Sequence, residues 1–264
     1  LDHLETERRN CPRTRNLRLT AIRSFMRYAS VREPAALPVA QRVLAIPTKR
    51  FDRPVIGFLS REEIEALLDA PDRTTWSGQR DAVLFATLYN TGARVSEITT
   101  LRVADVLLDR ASALQLHGKG RKERIVPLWK TTASQLRAWL ARIGRSADAP
   151  VFPNRAGGRL SRSGVEHRLR VALSAASKSC PSLAGRPISP HTLRHTTAMH
   201  LLQSGVDITV IAMWLGHEDP ATTHLYVEAD LTMKEAALSR LEDPAPRPLR
   251  FRPSDRLLAF LEAL

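Results

Sequence analysis

The sequence predicts a mainly helical protein with one small β-sheet, and three observations carry that expectation. Most of the 264 residues fall into windows where apolar side chains recur at helical spacing behind a capping residue. One segment, 112–128, alternates instead, around Gly118 and Gly120. A basic, proline-punctuated stretch (Pro47, Lys49, Arg50, Arg53, Pro54) separates a short first part from a long second one.

Taken in order, residues 12–29 read as a helix. Pro12 opens it, and Leu17, Ile22, Phe25 and Met26 form an apolar stripe. Arg13, Arg15, Arg18, Arg23 and Arg27 occupy the other faces, most of them expected in solvent and two or three within reach of phosphates. A short helix, 36–45, precedes the linker, which is the best domain boundary. The second part opens on a capping box, Ser60 to Glu63, ahead of Ile64, Leu67 and Leu68. A helix over 78–90 carries Val83, Leu84, Ala86, Thr87 and Leu88, and Gly92 suits its left-handed C-cap. The next helix starts near Ala93 and holds Arg94 and Glu97. Residues 112–128 read as two strands and a tight turn. Helices follow at 131–143, 161–177, 190–204, 207–215, 219–226 and 231–242. A Pro-rich break at 244–248 and a short amphipathic segment at 254–264 close the sequence, which shows no internal repeat or low-complexity tract.

Composition narrows the function. Forty Lys and Arg against 27 Asp and Glu give a formal charge of +13, the balance of a polyanion binder. Arginine dominates, which favours bidentate contact with phosphate. Arg-rich composition of a GC-rich genome is the plainer reading. Two cysteines, Cys11 and Cys180, are too few for a disulfide framework and suit a reducing, cytoplasmic setting. No apolar run is long enough for a membrane span, and the first turn is charged, unlike a signal peptide.

The chemistry-bearing residues gather in four places. His191, Arg194 and His195 fall within about 100° of each other on one helix, so an imidazole and a guanidinium can face the same anion. His191 and His195 also stand at the i, i+4 spacing of a metal pair, but position 192 is Thr where a metalloprotease helix carries Glu. Leu215-Gly216-His217 forms a second turn, with Tyr226 nine residues past His217; by itself Tyr226 reads as a core tyrosine, as most are, and the preceding Leu-Gly-His and the His191/Arg194 pair are what lift it. Arg94 follows Gly92 at a helix N-terminus, where backbone N–H groups already favour an anion. Glu97, one turn on, is placed to orient Arg94 or a nearby histidine, or to make an ordinary surface ion pair. Lys119 sits between two glycines at the hairpin tip, while Lys122 and Arg124 read as plain backbone-phosphate contacts. Donors around one hydroxyl suit chemistry on a phosphate, and together they point to DNA strand cleavage and joining.

In chain order these residues resemble the active-site set of the tyrosine recombinases, or phage integrases. Arg94 and Glu97, Lys119, His191 and Arg194, His217 and Tyr226 fill its positions, and the Leu-Gly-His turn and the nine-residue step recur. The resemblance spans about residues 1–243. It implies a partial helical core-binding, DNA-binding domain at 1–50 and a mostly helical catalytic domain with a small sheet at 57–243. Family members carry roughly twice as much N-terminal domain, and the Pro-rich tail at 244–264 lies outside the common pattern. That tail and the stripe Leu231, Met233, Ala236, Ala237, Leu238 and Leu241 are candidates for docking in trans.

The mechanism implied by the family makes Tyr226 the nucleophile, Arg94 and Arg194 the clamp on the non-bridging oxygens, and Lys119 the general acid. His191 assists deprotonation of the tyrosine, His217 bonds a phosphate oxygen, Glu97 supports these groups, and His195 braces the fold. No metal or other cofactor enters, and the partners are double-stranded DNA and further recombinase copies, as a homo- or hetero-tetramer on two duplexes. A mobile-element integrase is favoured over a chromosome-dimer resolvase. Two other classes stay open: a DNA-binding accessory protein without activity, and a tyrosine topoisomerase that works as a monomer.

Overall fold

The structure is a computed structural model that describes residues 1–51, 57–109, 111–118, 122–144 and 146–216. These fall into two compact units, residues 1–51 and the described residues from 57 onward.

The first unit holds α1 (Asp2–Thr6), α2 (Pro12–Arg32) and α3 (Leu37–Leu44). Pro12 starts α2 at the position where a missing N–H costs nothing. The helix ends at Glu33, which is extended ahead of Pro34 as sterics demand. The face of α2 that packs is not the one expected. Leu17, Ile22 and Phe25 are exposed, and the buried residues are Leu19 and Arg15. Arg15 is held there by an ion pair to Glu5 (2.9 Å) and a hydrogen bond to the Pro47 carbonyl (2.9 Å). Asn16 exchanges two hydrogen bonds with the Lys49 backbone. The chain after α3 thus competes successfully for the polar face, and the arginine expected in solvent becomes the internal tie.

In the second unit Ser60 and Glu63 make the anticipated capping box at the start of α4 (Arg61–Asp69). Helix α5 (Trp76–Thr91) is the central element, buried along nearly its whole length. It packs against α7 (Lys130–Ile143) and α9 (Pro190–Gln203). The hydroxyl of Thr197 in α9 donates to the Tyr89 carbonyl of α5 (2.7 Å). Gly92 ends α5 at φ 58°, and there α6 (Val95–Thr100) begins with Arg94 as its extended N-cap rather than inside the helix. The sheet is antiparallel in the order β1 (Val106–Leu107), β2 (Ala113–His117), β3 (Glu123–Pro127); β1 was not anticipated. Leu114, Leu116 and Val126 turn one face of it to the core. Helix α8 (Arg162–Ala176) buries Val165, Leu169, Ala172 and Ala176. Helix α10 (Ile208–Leu215) packs on α9 through Ile211 and Leu215, against Ala198, Met199 and Leu202. A mostly helical chain with a small sheet is the fold class expected. The hairpin tip 119–121 and the expected helices 219–226 and 231–242, with the tail, lie outside the described residues.

Candidate active site

The site forms where five elements come together: the C-terminus of α5, the N-terminus of α6, strand β3, helix α9 and the end of α10. A helix leaves its last carbonyls without internal partners, and its C-terminus carries partial negative charge. At the end of α10 three arginines take up three successive carbonyls. Arg124 Nε donates to Trp214 (2.9 Å), Arg194 Nη2 to Leu215 (2.7 Å) and Arg94 Nη2 to Gly216 (3.1 Å). Arg194 also donates through Nη1 to the Gly92 carbonyl (2.7 Å), so one buried guanidinium joins the ends of α5 and α10.

Glu97 binds two of these arginines together. Its carboxylate accepts from the Arg94 backbone N–H (2.7 Å) and Arg94 Nη1 (3.0 Å). It also accepts the Arg124 fork, Nη1 at 2.9 Å and Nη2 at 2.8 Å. Burial works to raise the Glu97 pKa, but Arg124 and then Arg94 hold it below the usual carboxylate range. Glu97 therefore stays ionised and orients two arginines; among the described contacts no histidine bonds to it.

His191 stands in the first turn of α9, which Ser189 caps by accepting from the Thr192 N–H. Its ring meets that of His195 edge-on, with centroids 4.2 Å apart. Partial burial of the His191 ring, then Arg194, Arg94 and Arg162, push its pKa below the ordinary value. The imidazole is thus neutral at pH 7, as a proton acceptor must be. His195 is buried beneath it.

At the root of the hairpin His117 pairs with Glu123 across the strands. Its ring nitrogens lie 3.1 Å from Asp105 Oδ1 and 3.1 Å from Glu123 Oε1. The hydrogen bond to Asp105 leads the effects that raise its pKa, desolvation opposes it, and the charges of Asp105 and Glu123 add to the rise. The Gly118 N–H donates to the Lys122 carbonyl (2.7 Å), closing the ladder just before the tip.

Of the residues singled out from the sequence, the structure brings together Arg94, Glu97, His191 and Arg194. Lys119, His217 and Tyr226 lie outside the described residues, though Gly216, which immediately precedes His217, is an acceptor in the arginine cluster. Among the described residues no group of three or more His, Cys, Asp or Glu has the arrangement of a metal site. Arg124 is a correction: it is no exposed phosphate contact, because its side chain is 12% exposed and spans from Glu97 to α10. The signal for it was in the strand parity, since residue 124 shares a face with buried Val126.

The sequence model described as the phage integrase family matches residues 57–233. The chain is 50% identical over 264 residues to "Putative integrase/recombinase y4rC" of Sinorhizobium fredii, covering all of this chain and 80% of that protein. It is 35% identical over 243 residues to tyrosine recombinase XerD of Pseudomonas putida, covering 86% of this chain and 75% of that one. Among solved structures it is similar to XerA recombinase, with TM-score 0.61 and 23% identity over 92% of this chain and 81% of that one. It is also similar to XerH site-specific recombinase bound to a palindromic difH substrate in a post-cleavage complex. There the TM-score is 0.63 at 20% identity, over 85% of this chain and 72% of that one. At these identities the two structures speak to the fold.

Proposed function

Because the chain belongs to the phage integrase family, the tyrosine recombinases, we propose that it cuts and rejoins DNA through a 3′-phosphotyrosyl link to Tyr226. It is a tyrosine-type site-specific recombinase. The observation that carries the finer reading is the convergence of Arg94 and Arg194 at the end of α10, on the chain that runs directly into His217, with His191 close enough to feel both guanidiniums.

In this reading the Tyr226 oxygen attacks the scissile phosphorus in line. The bond to the 5′-oxygen breaks, and the 3′-phosphate stays on the protein. His191 helps remove the phenol proton, which a pKa near 10 otherwise retains at pH 7. Arg94 and Arg194 stabilise charge on the non-bridging oxygens, His217 bonds one of them, and Lys119 delivers a proton to the departing 5′-oxygen. A 5′-hydroxyl from a second duplex then reverses the step with no energy source, because the protein link conserves the phosphodiester bond energy. Four copies on two duplexes carry the exchange. The 1–50 region and the 57–243 catalytic domain hold DNA, and the residues after Tyr226, with the tail at 244–264, dock on a neighbour. A mobile element is the proposed context, since the 50%-identical relative carries the name integrase/recombinase.

The test is covalent capture from nicked duplexes with a randomised core, in EDTA. Adducts recovered under denaturing conditions should map by peptide mass to Tyr226, and the captured sequences should converge on a site. Two duplexes bearing that site should then exchange strands. Relaxation of single duplexes without exchange would favour a topoisomerase, and binding without adducts an accessory protein.

A further inference from the structure

The three arginines at the end of α10 are not equivalent. Arg94 and Arg194 are the pair proposed to meet the scissile phosphate. Arg124 is turned inward: Nε to the Trp214 carbonyl, Nη1 and Nη2 to the two oxygens of Glu97. Gly216 packs against it so closely that an added Cβ would lie 3.1 Å from Arg124 Nη1. From these contacts we propose that Arg124 is a positioning residue for strand cleavage, tying the end of α10, and so the start of the His217 segment, to the Glu97–Arg94 pair.

The argument is one of competition. A phosphate oxygen is a stronger acceptor than a carbonyl, so a phosphate held by Arg94 and Arg194 draws on the guanidiniums that also hold Gly216 and Leu215. Arg124 has no such second duty, because its guanidinium faces the Trp214 carbonyl and Glu97 and its side chain is largely covered. It therefore keeps the last turn of α10 in place when the other two engage DNA. It also shares the load on Glu97; without it the buried carboxylate relies on Arg94 alone. A planar fork is needed for this. A lysine ammonium is a point charge and cannot meet two carboxylate oxygens and a separate carbonyl in that geometry.

This role rests on the proposed phosphotyrosyl reaction, so the experiment carries one arm that does not. Wild type, Arg124→Lys and Arg124→Gln are compared for DNA affinity, for single-turnover adduct formation on a captured site, and for amide exchange of the 208–216 peptide without DNA. Arg124→Lys should bind DNA within about threefold of wild type and form adducts at least about tenfold more slowly. Its 208–216 amides should exchange faster while those of α5 are unchanged. A substrate with a 5′-bridging sulfur leaving group, which needs no general acid, should not restore the rate. Should Arg124→Lys fail to fold, Arg124→Gln is read on the same scale, since it keeps a neutral donor and removes the fork. Wild-type rates and unchanged exchange in the folded variant would overturn the proposal. Rescue by the sulfur substrate would overturn it too, by placing the defect at the hairpin acid. A wild-type protein that forms no adduct refutes the reaction, while the exchange arm still judges the tie.

Discussion

Glu97 decides what its neighbours can do. Two guanidiniums share one buried carboxylate, so each is fixed in direction before any DNA arrives, which is the preorganisation that stabilises a developing charge. Burial, and then the field of Arg194, Arg94 and Arg162, lowers the His191 pKa and keeps the ring neutral. A lowered pKa means that the base form persists as pH falls. The acid limb of the second-order cleavage rate, which reports the free enzyme, should therefore lie below the ordinary histidine value of 6.5. A limb at or above that value would remove His191 from the base role. Lys119 is tested by its leaving group: Lys119→Ala should cut a normal phosphodiester poorly, at least about 100-fold down, and recover on a 5′-bridging sulfur substrate. No recovery would shift the acid to another residue, Lys122 first. Local spacing placed His191 and Arg194 on one helical face and Arg94 after a helix-ending glycine, but that Arg94, Glu97, His191 and Arg194 belong together came from the resemblance to the tyrosine recombinases. For Arg124 strand parity signalled an inward face, but its partners, 27 and 90 residues away, could not be read.

The elements explain why the site is where it is. Gly92 ends α5 in the left-handed region, its carbonyl receives Arg194, and an added Cβ would come within 2.4 Å of Leu215 Cδ2 at the end of α10. Gly92→Ala thus combines a left-handed penalty of about 1–2 kcal/mol with overpacking of similar size. Urea unfolding should show a loss of at least about 2 kcal/mol, and a change below about 0.5 kcal/mol would mean the two helix ends are not coupled there. Periodicity foretold the helices well where one face is apolar and a cap is local, as at Ser60 and Gly92. It failed at α2, where the stripe Leu17, Ile22 and Phe25 is exposed and Arg15 is inside. Apolar spacing says which residues share a face; the Pro47 carbonyl and Glu5, distant in sequence, determined which face was covered. Strand β1 escaped notice because two residues carry too little alternation to read.

At the scale of the whole molecule, a +13 chain with a preorganised arginine cluster and a family-wide match over 57–233 is built to act on DNA. The proposed assembly rests on the residues after Tyr226, whose sequence carries an apolar stripe at 231–241 and further apolar residues beyond Pro244. Deleting 229–264 should leave single-duplex binding and abolish complexes on paired sites. Paired-site complexes and a wild-type cleavage rate in the truncated chain would place those segments on their own domain instead. The central claim, that one hydroxyl carries the strand between duplexes, is tested most directly by Tyr226→Phe on a nicked suicide substrate carrying a captured site. Only the nucleophilic oxygen is removed, so covalent adducts should disappear while duplex affinity stays within about threefold. Adducts that persist in Tyr226→Phe would contradict the account.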